Sequence, residues 1–230
     1  MKGKDVRNAT RTIISTLGVY IGIGGIDHGF LETLQGYMPT NGFLINALGK
    51  GNSWTLWKQG GEGAFTLIPN YLLTGITSIV LSLIIIIWSI GFIHRKNGSL
   101  IFLALCILLL LSGGGVAQIL FIVLIGTIST RVDKPLIWWR KVLPEKVRGP
   151  ISKLWPVSLI LFSLLFFIAI EIAIFGYVPG VGDPLLVLHI CWAVLGIAVG
   201  ILLFTFISGF AHDIERLKAA PNPDFTSPHL

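Results

Sequence analysis

SLIFLALCILLLLSGGGVAQILFIVLIGTIST, residues 99–130, is the stretch on which the fold turns. It is an apolar run of about 32 residues, and Ser112, Gly113, Gly114 and Gly115 interrupt its middle. It reads as one long helix or as a hairpin that turns at the glycines. Each choice assigns the flanking loops to different sides, so the positive-inside rule separates them. One helix leaves the 17 basic residues divided between the two sides. A hairpin places those of residues 1–11, 95–96, 131–153 and 212–230 together and leaves only Lys50 and Lys58 opposite. The hairpin is therefore the expected form. Each arm has about 14 residues, roughly 21 Å of helix against about 30 Å of hydrocarbon, so the turn is expected to be re-entrant and shielded by other helices.

The surrounding sequence supports a membrane setting. Hydrophobic residues make up 53% of the 230 and charged residues 12%, with a mean hydropathy of +0.83, which leaves too little polar surface for a soluble domain. The net charge of +6 lies between apolar runs rather than on a folded face, so it speaks for topology and against nucleic acid. Cys106 and Cys191 lie inside apolar runs without CxxC spacing and read as small buried hydrophobes.

The expected fold is all-α: a polytopic integral membrane helix bundle of about six transmembrane spans with both ends inside (N-in/C-in). Residues 1–218 form a single transmembrane domain with spans near 12–31, 68–93, 99–113, 115–130, 155–177 and 185–211. An external loop covers 32–67, with Trp54 and Trp57 suited to headgroups, and a basic cytoplasmic loop covers 131–153. Residues 219–230 read as a disordered tail. The basic start followed by an apolar run resembles a signal peptide, but it has no small-x-small cleavage site and carries a glycine stripe that has a use only if the segment is retained. The setting expected is a prokaryotic cell membrane.

That stripe, Gly18, Gly22, Gly25 and Gly29, is spaced 4, 3 and 4 and so occupies one helix face, where a second helix can approach closely. It is the expected contact for a membrane-protein partner. Trp138 and Trp139 beside Arg140 and Lys141 suit anionic lipid, or a partner protein, at the cytoplasmic boundary.

Ionisable residues gather toward the outer ends of three spans. Asp27, His28 and Glu32 end the first; Glu171 lies inside the fifth; Asp183 and His189 flank the start of the sixth. A carboxyl among Ile170, Ile172, Ala173 and Ile174 needs a partner or a proton, and such groups face protein or water. Asp27 falls nearly opposite the glycine stripe by helical angle. The substrate-binding candidates are therefore Asp27, His28, Glu32, Glu171 and His189. A divalent metal on His28, Glu32, Glu171 and His189 is chemically compatible, since imidazole and carboxylate make a tetrahedral set. A b-type haem on His28 and His189 is a further option. HGFLE lacks the second histidine of HExxH, and no other catalytic motif is present.

In size and span number the chain resembles the substrate-capturing subunits of energy-coupling-factor vitamin transporters. Their Ala-x-x-x-Ala partner motif is absent from the first span, where the glycine stripe would have to replace it. The function expected is a small-molecule or ion binding and transport component with an outward-facing polar site. The alternatives are a membrane enzyme or redox subunit with a metal or haem, and an accessory subunit whose polar cluster is structural.

Overall fold

A computed structural model describes residues 8–46, 63–116, 118–132 and 136–219. Residues 220–230 of the expected tail, the centre of the 32–67 loop with Trp54 and Trp57, and residues 133–135 lie outside them, while Ala219 ends a helix. The chain is mostly helical, and four helices are long and apolar enough to cross a membrane: α1 (Ala9–Thr33), α2 (Tyr71–Gly91), α7 (Trp155–Phe175) and α8 (Pro184–Ala219). Local chemistry sets their starts. The Asn8 side chain accepts from Arg11 N at 2.6 Å, and that of Asn70 accepts from Leu73 N at 3.1 Å. Asp213, carried by α8, adds to the first cap: its carboxylate accepts from Ala9 N, Thr10 N and the Thr10 hydroxyl at 2.8, 3.0 and 2.6 Å. The start of α1 is thus bound to the far end of the chain.

The 99–130 run is two short helices, α3 (Gly98–Leu110) and α4 (Gln118–Ser129). They are antiparallel, because the Ser99 hydroxyl donates to Ser129 O at 2.6 Å and a Cβ built on Gly126 would meet Leu103. The chain reverses where expected, at Gly113 (φ +101°) and Gly115 (φ +91°), a backbone region that side-chain-bearing residues rarely enter.

Two short strands that the all-α expectation did not include, β1 (Leu44–Asn46) and β2 (Gly63–Phe65), pair antiparallel with Ile45 opposite Ala64. Strand β2 continues onto the glycine turn. Gly113 N donates to Phe65 O at 2.9 Å, Leu67 N to Leu111 O at 2.9 Å and Val116 N to Gly63 O at 3.0 Å. The non-helical backbone of the turn thereby finds partners inside the protein, as apolar surroundings require.

The glycine stripe is filled from within the chain. Cβ atoms built on Gly18, Gly22, Gly25 and Gly29 would collide with Ser89, Ile86, Ser82 and Gly75, all on α2. The face expected to meet a partner protein is therefore the α1–α2 seam. Around it Ile13, Leu17, Ile21, Ile85, Phe102 and Leu109 form the apolar core. Tyr20 crosses to α7, donating to Ser163 Oγ at 2.7 Å and stacking on Phe166.

At the end where α1 begins, α5 (Ile137–Val142) and α6 (Glu145–Ile151) lie against α8. Buried Arg148 pairs with Glu215, and Lys218 pairs with Glu145 at 2.8 Å. Trp139 packs on Phe210, whereas Trp138, Arg140 and Lys141 are exposed.

Candidate functional site

The last two turns of α1 carry His28 and Glu32, four residues apart and so neighbours on one helix face. Gly29 faces Gly75, and this contact of two glycines brings the α1 and α2 backbones close enough to shut the side chains between them away from the surface. Glu32 is 0% exposed and His28 7%. Gly113 packs directly on the carboxyl group: a Cβ there would lie 2.5 and 2.6 Å from its two oxygens and 2.5 Å from the Thr74 methyl.

The facing side of α2 carries Thr74, Ser78, Ser82 and Ser89, all fully buried. Most of these hydroxyls are committed elsewhere. Thr74 donates to Ile68 O at 3.1 Å and lies 3.1 Å from the Thr66 hydroxyl; Ser78 donates to Ser112 O; Ser112 donates to Leu108 O at 2.8 Å. They fasten β2 and the glycine turn down over the end of the seam. Among the described residues neither oxygen of Glu32 has a hydrogen-bond partner, nor does the Ser82 hydroxyl, nor either amide atom of Gln118. Ser82 lies against Gly25, and Gln118 against Gly24. These positions are two helical turns from Glu32, about 11 Å along α1.

An unpartnered amide or hydroxyl in such a place costs about 1–3 kcal/mol, and an uncompensated charge costs more. Glu32 and Ser82 lie along the α1–α2 seam and Gln118 faces α1 from α4, so unpartnered polar groups are spread along the C-terminal half of α1, with Glu32 the one that can carry a negative charge.

The structure divides the five residues singled out from the sequence. His28 and Glu32 are buried side by side on α1. Asp27 is exposed on the opposite face of that helix, as its angle to the glycines requires. Glu171 on α7 and His189 on α8 are both exposed. No three His, Cys, Asp or Glu side chains among the described residues are grouped where they could hold a metal ion, and the four considered as zinc-type ligands are all described. His28 and His189, considered together for haem, stand in different surroundings, one enclosed and one open.

Sequence reasoning missed Thr74, Ser78, Ser82 and Gln118. Thr74, Ser78 and Ser82 did leave a signal, since hydroxyl residues repeating every four positions in an otherwise apolar span mark one helix face. Gln118 left none, because its place follows from the sharpness of the glycine turn. The chain matches no family model, and no curated protein or solved structure matches it.

Proposed function

We propose that this chain is a membrane component that binds, and helps to move, an ion or a small polar molecule at the enclosed end of the α1–α2 seam. Glu32 supplies the charge. His28, one turn away, supplies a polar neighbour, Ser82 and Gln118 lie about two turns further along α1, and β2 with the 111–116 turn forms the cover. The chain crosses the membrane six times with both ends inside, α3 and α4 counting as two crossings; 15 of the 17 basic residues then share one side and the Glu32 end faces outward. The observation that carries this reading is the Glu32 carboxyl, 0% exposed and unpartnered among the described residues. Carboxylates inside spans are expensive, and they mark ion and substrate sites more often than they serve packing. The exposed Asp27, Glu171 and His189 are not part of the site in this reading.

A structural clamp is the second reading. It is favoured by the hydrogen bonds of Ser78 and Thr74, which hold the turn and β2. Thermal melting of the purified full chain separates the two. Wild type and Glu32→Gln are melted against a panel of monovalent and divalent cations, protons (as pH) and small organic cations. Binding predicts that one member raises the melting temperature of wild type and leaves Glu32→Gln unmoved, because a ligand stabilises the form that binds it. If no member acts through Glu32, the clamp reading replaces it.

A further inference from the structure

We propose that the guest at Glu32 is a single exchangeable proton rather than a metal cation; the proposal rests on the binding reading above. One carboxyl group offers one unit of negative charge, so a proton or a monovalent cation suffices to neutralise it. The two differ in what they need around them. A hard cation takes about six or more oxygen ligands. The hydroxyls beside Glu32 spend their hydrogens elsewhere, Thr74 on Ile68 O, Ser78 on Ser112 O and Ser112 on Leu108 O, so none of them donates to a Glu32 carboxylate. Gly113 sits against both carboxyl oxygens, and no three His, Cys, Asp or Glu side chains among the described residues are grouped to share a metal ion. A proton needs neither ligands nor volume, and it makes the carboxyl neutral among Thr74, Gly113 and the apolar core.

Among the described residues the other titratable groups facing this position are few. On α1 His28 lies one turn before Glu32, and Tyr71 opens α2, one turn before Thr74. The 111–116 turn and β2 contribute none, and α4 contributes the uncharged Gln118. Glu171 and His189 of α7 and α8 are exposed and form no group with Glu32. When the proton leaves, the O–H bond breaks, its electron pair stays on the carboxylate, and water or the His28 imidazole receives the proton. The enclosed negative charge then has no partner among the described residues, so release must accompany entry of a cation or of water under the cover.

Infrared spectroscopy of the full chain in lipid, in H2O and in D2O, tests this directly. At neutral pH wild type is expected to show a protonated-acid carbonyl band that shifts in D2O, disappears in Glu32→Gln and survives in Glu171→Gln. If the wild-type minus Glu32→Gln difference instead lies in the carboxylate region, the proton assignment is overturned. Should Glu32→Gln not fold, 13C-glutamate in the Glu171→Gln background gives the same answer: a 13C-shifted protonated-acid band supports the proposal, and its absence overturns it. The melting panel decides the binding reading separately, so a metal cation that stabilises through Glu32 would preserve that reading while rejecting the proton.

Discussion

The α1–α2 seam and the α7–α8 pair are both antiparallel pairs of long apolar helices, and both carry glycines and a carboxylate. Their interiors differ. In the seam, glycines 18, 22, 25, 29 and 75 let the backbones meet, and polar side chains are enclosed between the helices and under the turn. In the α7–α8 pair, Ala169, Ile172, Val187, Ala198 and Leu202 are buried, Gly196 and Gly200 meet nothing within 4 Å, and Glu171 and His189 stand outside. An ionisable residue within a span is thus not yet a site; it becomes a candidate where small residues and an irregular segment can close around it.

The most severe way to break this contrast is Gly29→Leu. A Cβ at Gly29 already falls 2.7 Å from Gly75 O, so a leucine must force the helices apart. The expected loss is about 3 kcal/mol or more, against about 0.5 kcal/mol or less for Gly200→Leu. Melting in one detergent measures both, and equal losses would erase the distinction. Next in size is Asp213→Ala at the junction of the two regions. It removes three hydrogen bonds to the start of α1 and should cost about 1–2 kcal/mol, with faster amide exchange over the first turn of α1.

A smaller effect of opposite sign is expected for Gln118→Leu. Replacing an amide that has no partner among the described residues should leave the ligand-free protein unchanged or stabilise it by up to about 1 kcal/mol. A clear destabilisation would mean that the amide is satisfied in the folded protein.

The smallest effect lies where α6 meets α8. The hydrogen bond from Lys218, and then its charge, hold the Glu145 carboxyl below its ordinary value, with Arg148 and Arg140 adding to the effect. The folded chain therefore releases this proton more readily than the unfolded chain. Its contribution is present above the ordinary carboxylate range and is lost as pH falls through the lowered value. Lys218→Ala should return the Glu145 titration, followed by NMR, toward the ordinary value, and salt should weaken the effect.

Much of this was legible before any coordinates. A 3.6-residue period placed the glycines on one face and Asp27 on the other, and the basic residues required a reversal at Ser112–Gly115. The depth of each polar group was not legible. Glu32 and Glu171 look alike in sequence, each near the end of an apolar run, yet one is enclosed by Gly113 and Thr74 and the other is open. Nor did the pattern show that the segment between α1 and α2 would send a strand onto the glycine turn, since that pairing joins residues about 50 apart through backbone groups common to every sequence.

By itself, then, the sequence determined the solvent, the helices and the point of reversal, because hydropathy and helical periodicity are local properties that survive without knowledge of neighbours. Only the tertiary structure decided which carboxyl is enclosed, that α2 rather than another protein fills the glycine stripe, and that Thr74 packs beside Glu32 while Ser82 and Gln118 lie further along α1. Those outcomes depend on how closely backbones distant in sequence can approach, and that distance is set by the small residues on both sides of a contact at once.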